Sequence, residues 1–313
     1  MSLFIIRTLN KMKILIITQN FWPDKSGYLY GEIANHFNAI GHDVDIVTYK
    51  YSNENTNSEA FVSLKKIYNL YRIPIFKKEN NSRVLKLINS VIFNFFILLI
   101  PFNKKKYDYM ICGCSHLLFV GYISSLVAKY LKSQFIYSIG DLHPESGTAS
   151  GDFKNKYIIR FLKYIDTIAC NYAKHIVVLS DDMAHSVSKR GVNLSSNIIK
   201  IPNLPHNINK KLSELNHEIF MKDKDKFRIV FTGNIGRFQG LETIIEAMHL
   251  LEDDHQIEIV FLGSGVSESK LKIMSGCLLD KKIFFIKPKK IEFVNSLIET
   301  ADIGLVSLLS GVE

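Results

Sequence analysis

Short apolar runs alternate with amphipathic stretches along almost the whole chain. The alternation stops once and then restarts, and that rhythm limits the fold to a few architectures. Strand-like runs are read at Lys13 to Gln19, Asp43 to Tyr49, Tyr71 to Ile75, Tyr107 to Gly113, Gln134 to Gly140, His175 to Ser180 and Ile198 to Ile201. Helical stretches separate most of them: Tyr28 to Ile40 with Gly41 after it, a long apolar helix around residues 84–102, His116 to Leu131, Lys154 to Ala173, and Asp181 to Arg190 behind a Ser180 cap. Residues 50–66 are polar and rich in Asn, a loop. Pro202 to Asp225 holds two prolines, several Asn and the run KDKDK, and is expected to be a linker. The pattern resumes with strands at Phe227 to Thr232, Ile257 to Leu262, Ile283 to Ile286 and Ile303 to Leu308. Helices at Leu241 to Leu251, Glu268 to Ser275 and Ile291 to Thr300 lie between them. The expected fold is α/β, with two Rossmann-like, doubly wound parallel-sheet domains facing a cleft. Residues 12–205 form the first domain, 206–226 the linker and 227–313 the second. With 313 residues the chain has length for two domains, but the second holds about two-thirds of the strands a complete doubly wound sheet needs and is read as incomplete.

Composition narrows the function. Hydrophobic residues make up 47% of the chain and charged residues 22%, which excludes a disordered or fibrous protein. The net charge is +9, yet only seven of the 39 basic residues are Arg. A specific nucleic-acid binder would carry more Arg, so the excess points to an anionic membrane surface or a phosphate-bearing substrate. The four cysteines form neither a disulfide framework nor a zinc pattern, and a reducing cytoplasm is the expected compartment. Cys112 and Cys114 are read as buried thiols rather than a redox or metal pair. Residues 1–11 do not make a signal peptide, and Met12 stands where a chain could start. The run from Val84 to Phe102 is interrupted by Lys86, Asn89, Ser90 and Asn94, which favours a helix buried on a sheet over membrane contact, and its purely apolar part is too short to cross. Lys77, Lys78 and Arg83 before it and Lys104, Lys105 and Lys106 after it also suit docking on an anionic leaflet.

Four loops follow strand ends, where parallel sheets bind ligands. The first, residues 20–27, includes Lys25 and Gly27, a turn whose backbone can approach a ligand ahead of a helix. It holds one Gly, so it lacks the dinucleotide fingerprint of an NAD enzyme. The second, GDLHPES, places Asp141, His143 and Glu145 within six residues. Two roles are open for it. Asp141 or His143 positions or deprotonates a hydroxyl, or Asp141 caps local amides while His143 is solvated. The third, Gly233 to Gly240 (GNIGRFQG), lies between a strand and a helix. Its glycines can turn amides toward an anion, with Asn234 and Gly236 in the loop, Arg237 to neutralise phosphate and Gln239 to donate from its amide. The fourth carries Gly263 and Gly265 and reads as a second wall of one nucleotide pocket. Lys287, after the next strand, can meet a base or phosphate or belong to a solvated basic face.

In this order the loops resemble the retaining GT-B glycosyltransferases of family 4, nearest the WbuB-like branch that builds O-antigen and capsule sugars. The resemblance rests on ITQNFWPDKSGYLYGEIANHFNAIGHDVDIVTY, GDLHPES, IPN, GNIGRFQGLETIIEAMHLL, FLGSG and ETADIGLVSL, and it covers nearly the whole chain from Met12. His143 stands where the family usually has Trp. Asn234 and Gln239 stand where many members carry Arg and Lys.

The resemblance implies an N-terminal acceptor domain, a C-terminal domain for a nucleotide-sugar, usually a UDP-sugar, and no metal or other cofactor. It implies a polyprenyl-diphosphate-linked acceptor at the inner face of the cell membrane, and no nucleic-acid partner. It places Asp141, His143, Lys25 and Gly27 on the acceptor side, and Gly233, Asn234, Gly236, Arg237, Gln239, Gly263, Gly265 and Lys287 on the donor side. The family continues past ADIGLVSL with a further donor-binding segment, so the alternative is a catalytically incomplete fragment, or half of a split enzyme acting as a binding partner.

Overall fold

The structure, a computed structural model, describes residues 11–21, 27–50, 67–76, 83–100, 105–114, 119–149, 154–192, 197–203, 225–254, 256–287 and 291–309. The chain forms two compact units, Met1–His206 and Asn207–Glu313. Most of the expected linker lies outside the described residues, as does Lys25.

The first unit is built on a parallel sheet of seven strands: β1 (Lys13–Thr18), β2 (Asp43–Lys50), β3 (Asn69–Pro74), β4 (Tyr109–Cys114), β5 (Gln134–Ile139), β6 (His175–Val178) and β7 (Ile198–Lys200). Their order is β3-β2-β1-β4-β5-β6-β7. The central strands read as unbroken apolar runs because both of their faces are covered. Leu15, Ile17, Met110 and Cys112 pack under the helices Arg83–Leu98, Val120–Leu131 and Lys156–Tyr172, through Phe93, Ile97, Val127, Ala128, Ala169 and Cys170. Ile14, Ile16 and Ile46 point the other way, against Ala34 and Phe37 of the helix Tyr28–Ala39. Side chains capable of capping start two of the helices. Asn155 accepts from the Tyr157 amide at 2.9 Å, and Ser180 from the Met183 amide at 3.3 Å. Cys112 and Cys170 are buried in this core, and burial pushes the Cys170 thiol up. The sheet reverses its order at β1, which pairs with β2 on one side and β4 on the other.

The second unit has four parallel strands: β8 (Phe227–Asn234), β9 (Ile257–Ser264), β10 (Ile283–Ile286) and β11 (Ile303–Leu305), in the order β10-β9-β8-β11. The helices Leu241–Leu250, Glu268–Ser275 and Ile291–Glu299 follow β8, β9 and β10. Near the strand starts, buried Arg228 donates through Nε to Glu258 Oε1 at 2.6 Å, and its amide donates to Asp302 Oδ2 at 2.6 Å. This sheet reverses at β8, between β9 and β11.

Three expectations change. The last strand ends at Leu305 instead of running to Leu308. Val306 is exposed, and further on the Leu309 amide donates to the carbonyl of Phe238, in the loop after β8, at 2.8 Å. GDLHPES is not all loop: Glu145–Ala149 is a short helix. Lys105 does not flank the apolar helix as a free cation. Its ammonium donates to Asp45 Oδ2 and to the Tyr71 hydroxyl, each at 2.8 Å, and Asp45 is buried. No described helix is long and apolar enough to cross a membrane.

Candidate functional site

At the carboxyl end of β8 and β9 the two glycine loops are one structure. The strands pair side by side up to Gly233 opposite Gly263 and Asn234 opposite Ser264. Beyond them the Ile235 amide donates to the Ser264 carbonyl and the Ser267 amide to the Ile235 carbonyl, both at 3.0 Å. A Cβ at Gly263 would sit 1.8 Å from the Gly233 carbonyl oxygen, and one at Gly265 2.1 Å from that of Ile235. These two glycines are therefore required by the approach of one loop to the other. Gly240 adopts φ +58 and starts the helix Leu241–Leu250.

The loop uses some of its own donors. The Gly236 amide donates to Gln239 Oε1 at 3.0 Å, which fixes the half-buried Gln239 amide. With Ile235 bonded to Ser264, two amides of this loop already have partners, one of them at Gly236, which the sequence assigned to the donor side. A backbone bond at the helix start holds the Glu242 carboxyl below its usual range, and Lys270, 3.1 Å away, adds to that. The positive end of this helix thus already meets a carboxylate. Arg237 and Lys287 are exposed, and neither has an ion pair among the described residues. Lys287 follows β10, at the same end of the sheet as the two loops.

In the first unit, Gly140, Asp141 and His143 follow β5. The His143 Nδ1 lies 3.3 Å from Ser146 Oγ, so its ring faces its own loop at that nitrogen. The short helix behind them is held by Arg190, whose side chain is 4% exposed. Arg190 donates through Nε to Glu145 Oε1 at 3.2 Å and through an Nη to the His143 carbonyl at 2.9 Å, and it forms a tight ion pair with Asp166. The Tyr137 hydroxyl takes the other Asp166 oxygen at 2.7 Å, and Lys163 reaches Glu145 at 3.1 Å. Burial works to raise the Glu145 carboxyl, but the Arg190 guanidinium, a backbone hydrogen bond and Lys163 together outweigh it and hold the group below the usual carboxylate range. Burial likewise works to lower Arg190, and its two carboxylates more than reverse that.

Gly27 has a different use from the one its sequence suggested. A Cβ there would lie 2.4 Å from the Phe21 backbone, so the close approach it permits is to the chain itself. Nearby, Tyr30 lies over Gly113 at the end of β4 and donates to Ser138 Oγ at 3.1 Å. Arg190, Asp166 and Tyr30 have no signal in spacing, because their partners come from other βα units. Glu145 stood inside a recognised segment without a role.

The family model for "Glycosyl transferases group 1" matches residues 213–312, which include both glycine loops. The chain is 24% identical over 315 residues to the Escherichia coli K12 protein named "Putative colanic acid biosynthesis glycosyl transferase WcaI", covering 94% of this chain and 76% of that one. Its fold is shared by WaaG, described as a glycosyltransferase involved in lipopolysaccharide biosynthesis, at a TM-score of 0.64 and 14% identity, over 96% of this chain and 76% of WaaG. Anabaena HepE, solved with UDP and glucose, matches at a TM-score of 0.58 and 12% identity, over 95% of this chain and 74% of HepE. The fold is thus α/β with Rossmann-like parallel sheets, as in these GT-B structures.

Proposed function

We propose that this chain is a glycosyltransferase. It takes a sugar from a UDP-sugar and transfers it, with retention, to an acceptor on a polyprenyl diphosphate at the inner face of the cell membrane, in the synthesis of O-antigen, capsule or exopolysaccharide. One observation carries this reading. The interlocked loops sit where the second sheet reverses its strand order, the usual ligand position of such sheets, and the family match falls on those residues.

In this reading Arg237, Lys287 and the Gln239 amide meet the diphosphate, with Gly233, Asn234, Gly236, Gly263 and Gly265 shaping the backbone beneath it. Exposed cations and amides replace a metal or other cofactor there. The bond from the anomeric carbon to the departing diphosphate breaks, and the acceptor oxygen bonds to that carbon on the same face. The acceptor proton passes to the diphosphate, whose growing charge the basic loop stabilises. Asp141 and His143, with Lys25, orient the acceptor hydroxyl. The apolar helix Arg83–Leu98 rests on the membrane through Leu87, Val91, Phe95 and Leu98, all exposed. The relatives' names support the polysaccharide class.

The test is incubation of the protein with radiolabelled UDP-sugars and a bacterial membrane lipid extract. Label is expected in the organic phase with one UDP-sugar, and Asp141→Ala is expected to cut that transfer while leaving UDP binding unchanged. No transfer from any donor, together with no UDP binding, contradicts the reading.

A further inference from the structure

We propose that the first unit has a second membrane contact, the N-terminal half of the helix Lys156–Tyr172, an aromatic and basic face that docks on an anionic lipid surface. The proposal rests on the membrane contact of the preceding section and adds a site to it. The helix turns Leu162, Ala169 and Cys170 into the core. On its outer side Tyr157 is 72% exposed, Phe161 54% and Tyr164 65%, with Ile158 beside them. Phe119 extends this patch from the neighbouring helix, its ring meeting that of Phe161 edge-on at 6.5 Å. So much exposed aromatic surface in one place marks an interaction site.

The charges say what it meets. Lys154, Lys156 and Arg160 are exposed among these rings, and Lys156 stands over the Tyr157 ring at 5.4 Å. From residue 154 to 165 there is no carboxylate, and the first one, Asp166, is bound to Arg190 and Tyr137. The first turn holds no acid, so the cations crowd the end of the helix whose dipole is already positive. That placement costs stability in isolation and is offset when an anionic surface faces it. A second copy of this chain would set like charges against one another. Rings interleaved with cations suit the headgroup layer, where aromatic bodies sink and charged ends stay wet. The helices Arg83–Leu98, Val120–Leu131 and Lys156–Tyr172 cover the same sheet face, so both contacts belong to one side of the unit.

The test is co-sedimentation of the full chain with phosphatidylglycerol-containing vesicles, beside pure phosphatidylcholine vesicles. Three double variants are compared: Lys156→Glu with Arg160→Glu, Tyr157→Ser with Phe161→Ser, and Val91→Ser with Phe95→Ser. All six side chains are exposed, so no variant should fall below the wild-type thermal midpoint. Preference for anionic vesicles is expected. The charge reversal should lower partitioning at least about tenfold, since each cation near an anionic leaflet contributes about 1 kcal/mol. The ring variant should lower partitioning to both kinds of vesicle. If both variants on the helix Lys156–Tyr172 partition like wild type while Val91→Ser with Phe95→Ser does not, the second contact is overturned and the first stands. Wild-type protein that ignores every vesicle overturns both. A dimer in vesicle-free buffer that the same variants abolish also overturns the proposal, because the face is then a protein interface. UDP calorimetry on each sample scores the glycosyltransferase reading separately.

Discussion

Two loops at two sheet ends are held in place by different physics. The loop at residues 233–240 is held by backbone: glycines let it lie against the loop after β9, and amides and carbonyls join the two. The loop at residues 140–149 is held by charge, with one buried guanidinium gripping Glu145, Asp166 and the His143 carbonyl. The first arrangement leaves its cation, Arg237, exposed and without an ion pair among the described residues. The second spends its cation on architecture. A basic residue near a site is therefore a candidate for binding only when its charge is not already matched.

Removing the charge from the charge-held loop gives the largest expected effect. Arg190→Met leaves two carboxylates in a partly buried setting without their cation, and should cost about 3–5 kcal/mol. Urea denaturation followed by circular dichroism measures it. A loss below about 1 kcal/mol would show that water or Lys163 takes over, and the contrast between the loops would fail.

The backbone-held loop is broken by one methyl group. Gly263→Ala puts a carbon 1.8 Å from the Gly233 oxygen and should cost about 1–3 kcal/mol, together with UDP binding. Gly304→Ala meets nothing within 4 Å and should stay within about 0.5 kcal/mol by the same denaturation. Equal effects at the two positions would remove close packing as the reason for the glycine.

Acid separates the loops further. The Glu145 carboxyl is held below its usual value of 4.5 in the folded chain. Its contribution to stability is thus fully present above pH 4.5 and is lost as the pH falls through the depressed value. Thermal midpoints measured from pH 6 down to pH 3 should fall more steeply for wild type than for Arg190→Met, which has already lost the ion pair. Parallel curves would contradict the assignment of Glu145.

The same contrast explains what could be read from the sequence. GNIGRFQG and the FLGSG loop were legible because glycine spacing encodes backbone approach directly, and strand-helix alternation gave both sheets and nearly every element. The spacing of Gly263 and Gly265 points to a wall of a pocket, and their close approach to Gly233 and Ile235 shows the loop-on-loop packing, which no local period reveals. Arg190 was invisible, since its partners lie 24 and 45 residues away and no local period links them. Lys105 was misread for the same reason: its partner Asp45 is 60 residues away, and a lysine in a basic run looks solvated until the fold is known. The short helix Glu145–Ala149 was missed because its five residues, ESGTA, have too few turns to show a helical period.

The smallest structural change asks the central question. Arg237 is exposed and without an ion pair among the described residues, so Arg237→Ala should leave stability within about 0.5 kcal/mol of wild type. If the backbone-held loop is the diphosphate site, losing one charge-assisted bond there should weaken UDP about tenfold or more. Isothermal calorimetry of UDP with wild type and Arg237→Ala measures this directly. Binding by wild type, weakened in the variant without loss of stability, is the predicted result; equal UDP affinity for the two proteins, or none for wild type, would contradict it.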